Sequence, residues 1–239
     1  MVKMEACTVK NMHTVTAAQM KQIEKNAFEQ GMPYLQMMEN AGTAAYRGIR
    51  EHYPEARSLA VFIGKGNNGG DGSVIARLAA ADDMKVTLVL VEGRPVTHDA
   101  LLNFELIECN DNVTVVDINE LNINGSAANE PEKNAAARRP YISADVAVDA
   151  LYGTGFHGEL RDNGAKACAL MNSTGAPVAA LDLPSGVNAD TGETAQGAVC
   201  ADVTFAFDSY KKLHAIPASA EQCGEIILTD IGIPEECHV

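Results

Sequence analysis

The chain has 239 residues, 46% of them apolar, enough for one α/β domain with a substantial core, and residues 1–239 are read as a single domain. Its formal net charge of −14 excludes a nucleic-acid-binding surface, because neutralising phosphates takes clustered Lys and Arg; a small phosphate-bearing ligand could still be held by backbone N–H groups. No apolar run reaches transmembrane length and Met1–Cys7 lacks the apolar stretch of a signal peptide, so no membrane partner and a cytoplasmic location are expected.

The first predicted element is a helix opened by Thr16-Ala17-Ala18-Gln19, a capping-box sequence. Met20, Ile23, Ala27 and Phe28 follow at helical spacing until Gly31-Met32-Pro33 stops the run. A second helix is predicted from Tyr34 to about Tyr53, with Leu35, Met38, Ala41 and Ala45 on one face. From residue 59 strands and helices alternate. Strands are predicted over 59–63, 86–91, 113–116, 146–150, 178–182, 203–207 and 225–229, and helices near 73–82, 97–108 and 162–173. Several of these strands are nearly continuous apolar runs, as strands buried on both faces are. Repeated βα units imply an α/β fold, a mostly parallel sheet with helices on both faces. The stretch 122–144, rich in Asn, Gly and Pro, reads as a mobile surface loop. The six cysteines are dispersed without a CxxC pair, which argues against a zinc site or a disulfide framework. Cys168 and Cys200 read as small core residues.

Three strands run into polar, glycine-rich segments. The first, Gly64-Lys65-Gly66-Asn67-Asn68-Gly69-Gly70-Asp71-Gly72, reads as a strand-to-helix turn. It lacks the Gly-Lys-Ser/Thr of a phosphate loop, and its Gly64-x-Gly66-x-x-Gly69 spacing alone does not make a dinucleotide fingerprint. A bare tight turn would not need two amides and an acid. The second is Asp149-Ala150-Leu151-Tyr152-Gly153-Thr154-Gly155-Phe156-His157-Gly158, and the third is Asp182-Leu183-Pro184-Ser185-Gly186. Ligands of open parallel sheets bind outside the carboxyl ends of the strands, so all three are expected to converge. Asp71, Asp149 and Asp182 would then crowd one edge and need a cation or an acid/base role. Gly153-Thr154-Gly155 can wrap a diphosphate with backbone N–H groups. Asn68, Asp149 and Ser185 offer oxygens to one cation, and potassium or sodium suits that mixture. His157, a lone loop histidine, is most simply solvated.

These segments resemble the YjeF N-terminal domain family, the NAD(P)H-hydrate epimerases, through Gly66–Gly72, Val148–Gly155 and Asp182–Gly186. Met38-Glu39-Asn40-Ala41-Gly42 and Asp230-Ile231-Gly232-Ile233-Pro234 resemble it too, so the likeness spans residues 14–234. It implies a Rossmann-like three-layer α/β/α sandwich with two N-terminal helices, usually dimeric. It also implies one potassium ion and interconversion of the R and S forms of hydrated NADH and NADPH, an isomerase reaction of nucleotide repair. Carried over, Asn67, Asn68, Gly69, Gly70 and Asp71 should touch substrate. So should Gly153, Thr154, Gly155, Phe156, His157, Gly158, Glu159 and Asp182. Asn68, Asp149 and Ser185 should hold potassium. Asp182 is the candidate to protonate the departing hydroxyl and activate the returning water, although ring opening to an aldehyde would invert the same carbon. The family's Pro-Lys segment after the sixth strand is replaced by Ser209-Tyr210-Lys211-Lys212, which leaves the matching lysine undecided. The chain stops soon after Pro234, so a separate ADP- or ATP-dependent dehydratase is the expected working partner. A non-catalytic binding module on the same fold is the alternative; an NAD-dependent oxidoreductase is a weaker one, for want of a Tyr-x-x-x-Lys.

Overall fold

A computed structural model describes residues 13–121 and 142–239. The predicted loop 122–144 therefore lies, except for its last three residues, outside the described residues. Seven parallel strands form the central sheet: β2 (Ser58–Ile63), β3 (Lys85–Leu90), β4 (Val113–Asp117), β5 (Val146–Ala150), β6 (Val178–Leu181), β7 (Val203–Phe207) and β9 (Glu225–Thr229). Their order is β4-β3-β2-β5-β6-β7-β9, so the chain winds outward from β2 in one direction and from β5 in the other. β2 pairs β5 with Phe62 level with Asp149. The carboxyl ends of these two strands are thus a topological switch point, where strand-to-helix connections diverge and leave a crevice.

Alternation along β2 shows how the layers form. Leu59, Val61 and Ile63 face one core and Ala60 and Phe62 the other. The first core is closed by α1 (Ala17–Glu29), α2 (Tyr34–His52) and α3 (Asn67–Ala81). The second is closed by α5 (Asp162–Ser173), through Ala167, Cys168, Leu170 and Met171. The three-layer sandwich is as expected, with every pairing of the described central sheet parallel. A short α4 (His98–Glu105) packs beside α3, ending earlier than the 97–108 reading.

Thr16 caps α1 as its sequence indicates. Its hydroxyl accepts from Gln19 N, and Gln19 Oε1 accepts from Thr16 N. Phe28 is half exposed, stacked on Tyr34, instead of joining the core. On α2 the buried face is Met37, Met38, Ala41, Ala45 and Ile49, and Leu35 is turned outward. Cys168 is buried but Cys200 is exposed, which corrects its reading as a core residue. One pairing had no signal in the sequence. The two-residue strands β1 (Thr14–Val15) and β8 (Tyr210–Lys211) run parallel, with Val15 level with Lys211.

Candidate active site

The glycine-rich stretch after β2 is helix, not turn. α3 begins at Asn67, six residues before the predicted start, so Asn67, Asn68, Gly69, Gly70 and Asp71 lie in its first turns. The glycines there serve close packing. A β-carbon on Gly64 would lie 2.1 Å from the Leu151 carbonyl oxygen, and one on Gly69 would lie 2.1 Å from the Gly64 carbonyl oxygen. Backbone contact at that range draws the N-terminus of α3 against the β5 loop.

Two distinct polar groups result, where one cluster of three aspartates was expected. The first surrounds Asp149, which is fully buried. Its Oδ2 accepts from Ser185 N at 2.7 Å, and its Oδ1 accepts from Ser185 Oγ at 2.6 Å and Leu151 N at 3.2 Å. Ser185 Oγ in turn accepts from Tyr152 N at 2.9 Å, and Asn68 Nδ2 donates to Tyr152 O at 3.2 Å. Asn68, Asp149 and Ser185 therefore meet around the backbone of Tyr152. Burial lifts Asp149 to about 6, opposed by the donors from Ser185 and Leu151. No Lys or Arg among the described residues pairs with it. A buried carboxylate with neutral donors and no cationic side chain suits a monovalent cation held by Asp149, Ser185, Asn68 and the Tyr152 carbonyl.

The second group lines a cavity of about 170 Å³ beside the switch point. Asn67, Asn68, Asp71, Gly153, Thr154 and Asp182 lie in its wall, with Glu24, Met38 and Lys211. Asp182 leaves β6 with φ of 65°, a left-handed conformation uncommon for a residue with a side chain. That turn keeps its N–H on Phe205 O at 2.8 Å while aiming the carboxyl at the end of β7. Its Oδ1 accepts from Phe207 N at 3.2 Å and from the Lys211 ammonium. Lys211 is 1% exposed and donates also to Phe207 O at 2.6 Å. Its neighbour Lys212 is exposed, which identifies Lys211 as the inward lysine. The β1 pairing and a bond from Lys211 N to His214 Nδ1 at 3.0 Å fix its backbone. Burial presses His214 down to about 4, so it is a neutral buttress.

Other expected contacts lie apart from this cavity. Phe156 stacks on Tyr152 with ring centroids 5.4 Å apart, and His157 Nδ1 lies 3.3 Å from Asn188 Nδ2 on the surface. Gly158 and Glu159 line a separate surface groove with Asn188 and Glu193. Gly70 is buried and packs against Met38. Two matched motifs prove to be braces. Asn40 Nδ2 donates to Ile231 O at 2.7 Å, joining Met38–Gly42 to Asp230–Pro234, and Arg77 pairs with Glu39 at 2.5 Å.

Sequence reasoning missed Glu24. It sits one helical turn from Met20, inside the amphipathic pattern of α1, and reads there as an ordinary polar-face residue. Burial, and then the charge of Asp182, raise it to about 7. Asp71 is held well above the usual carboxyl range, first by burial and then by Asp182 and Glu24.

The profile of the family described as YjeF-related protein N-terminus matches residues 34–213. A Pyrobaculum aerophilum protein named Bifunctional NAD(P)H-hydrate repair enzyme Nnr is 36% identical over 228 residues, which is 95% of this chain and 43% of that protein. A second protein of that name, from Coxiella burnetii, is 33% identical across 91% of this chain and 41% of its own length, so the chain spans less than half of either. A Nitrosopumilus maritimus protein named NAD(P)H-hydrate epimerase is 34% identical over 94% of this chain and 97% of its own length. The crystal structure of yeast ynu0, YNL200c, shares the fold, with a TM-score of 0.66 at 21% identity over 85% of this chain and 84% of that one. With three quarters of its length under the profile and a full-length relative above 30% identity, this chain belongs to the YjeF-related N-terminal family.

Proposed function

We propose that this chain is an NAD(P)H-hydrate epimerase, an isomerase that interconverts the R and S forms of hydrated NADH and NADPH. The observation that carries the reading is the Asp182–Lys211 pair in a cavity at the switch point of a fold shared along its length with a named epimerase. The substrate bears a hydroxyl on a ring carbon next to the ring nitrogen. If the nitrogen expels that oxygen, an iminium ion forms, and water can return to either face. A carboxylate beside the carbon stabilises the cation and takes a proton from the returning water. Asp182 has the position for both tasks, since Lys211 and Phe207 N occupy only its Oδ1. The cavity volume suits a single ring, which leaves the rest of the dinucleotide to the outer loops, including Thr154 through Glu159.

Potassium belongs to the same reading, held by Asn68, Asp149 and Ser185. It would supply positive charge beside Asp149 and orient the Tyr152–Gly153 backbone near the substrate. A homodimer is part of this reading, as is hand-over of an epimer to a dehydratase activity. The length of the bifunctional relatives outside the matched segment supports the second point. Five free cysteines among the described residues support a reducing compartment, and we take it to be the cytoplasm.

The test is chiral-resolved analysis of hydrated NADH and NADPH incubated with the purified protein. Equilibration faster than the spontaneous rate, without ATP, is expected. An unchanged rate refutes the enzyme and favours a binding module.

A further inference from the structure

We propose that Glu24, on the first helix, is a second acid/base group of this cavity and works in concert with Asp182. The proposal rests on the epimerase reading. In the first half-reaction the carbon–oxygen bond breaks, its electron pair leaves with oxygen, and the ring nitrogen's lone pair forms the C=N bond. The departing oxygen needs one proton to leave as water. In the second half-reaction a water oxygen bonds to carbon, the C=N pair returns to nitrogen, and the water yields one proton. A donor and an acceptor are therefore required, and inversion asks for action on both faces of the ring.

Asp182 is committed as acceptor. Its carboxylate already receives the Lys211 ammonium and the Phe207 N–H. The donor must be another group. The only other carboxyls in the cavity wall, among the described residues, are Glu24 and Asp71. Glu24 reaches the cavity from α1, a different element from the sheet edge that carries Asp182, and it has no hydrogen-bond or ion-pair partner among the described residues. Met20, Met37 and Ala41 line the wall with it.

The charged groups around Glu24 are Asp182, Asp208, Asp71, Lys211 and Lys21. Burial first, then the charges of Asp182 and Asp208, raise it to about 7 against Lys211 and Lys21. At neutral pH it can therefore both give and regain a proton. Asp71 is also held above the usual carboxyl range, by burial first and then by the charges of Asp182 and Glu24. After one turnover Glu24 is ionised and Asp182 carries the proton taken from water. Proton exchange with solvent restores both.

The experiment is the pH–rate profile of epimerisation for the full chain and for Glu24→Gln. The variant should lose roughly a hundredfold in kcat with KM little changed, and the limb of the profile near pH 7 should disappear. Glu24→Gln with near-native kcat and an intact limb would overturn the inference and leave the epimerase reading standing. Loss of that limb in Asp71→Asn instead would also overturn it. A wild-type protein without activity overturns both. If Glu24→Gln does not fold, a site-resolved NMR titration of Glu24 in the native chain decides. A midpoint near 7 is expected, and one in the ordinary glutamate range of about 4.3 refutes the inference.

Discussion

The ammonium of Lys211 lies against the carboxylate of Asp182, 29 residues earlier in the chain, with both groups nearly out of contact with solvent. Each is brought there by an irregularity. Asp182 takes a left-handed turn off β6, and Lys211 is pinned by a two-residue strand pairing with the N-terminal segment. An ion pair that far from water is held by geometry, because its desolvation offsets much of its Coulomb attraction.

Asp182→Asn keeps size and most hydrogen-bonding capacity but removes the acid/base function. Turnover should fall by roughly a hundredfold or more while substrate still binds. Steady-state kinetics and equilibrium binding of hydrated NADH check this. A fully active variant would move the chemistry to another group of the cavity.

Lys211 and Lys212 are adjacent but should behave differently. Lys211→Met leaves the Asp182 carboxylate buried without its cation and should destabilise the fold by about 3–5 kcal/mol. Lys212→Ala, at an exposed position, should stay within about 0.5 kcal/mol. Urea denaturation of both variants gives the comparison, and equal losses would contradict the burial difference.

Potassium should raise the melting temperature at constant ionic strength. At a hundredfold excess over Kd the stabilisation is about 2.7 kcal/mol, or roughly 5–10 °C for a chain of this size. Asp149→Asn removes the one buried charge of the ligand set, so most of this shift should vanish. Thermal melts in potassium, sodium and tetramethylammonium chloride also test which cation fits. An equal potassium shift in wild type and variant would refute the assigned ligands.

His214 should make the protein acid-sensitive. Its folded value of about 4 lies below the unfolded value near 6.5. Between these values the unfolded chain binds a proton that the native protein refuses, so stability falls as pH drops from about 6.5 to 4. The loss is roughly 3 kcal/mol by linkage, with no contribution above pH 6.5. His214→Gln retains an acceptor for Lys211 N and should flatten this window. Denaturant melts from pH 4 to 8 for both proteins measure the difference. Parallel curves would assign the acid loss to other groups.

Much of the fold was legible because burial on two faces leaves a strong mark. The strand cores at 59–63, 146–150 and 203–207 coincide with β2, β5 and β7, and the Thr16–Gln19 capping box opens α1 where expected. Two site features were legible as well. The three polar strand ends converge, and Asn68, Asp149 and Ser185 meet around Tyr152. Residue type and position at strand ends suffice there, since parallel topology puts all carboxyl ends on one edge.

The sequence pattern puts the start of α3 too late because glycine reads as a breaker. In the folded chain Gly69, Gly70 and Gly72 are there to admit a backbone carbonyl, Met38 and Ala150. The inward lysine, the separation of Asp149 from Asp71 and Asp182, and the presence of Glu24 in the cavity were decided by tertiary structure alone. Strand alternation and helix periodicity say which face of an element is buried. They do not say which element packs against it. Lys211 depends on a pairing with Val15 across almost the whole chain, and Glu24 on the seating of α1 beside the ends of β6 and β7. Local pattern determined the elements and the edge where chemistry could sit. Long-range packing, which sets solvent access and the distances between charges, decided which carboxyls share a cavity and which one has a cation beside it.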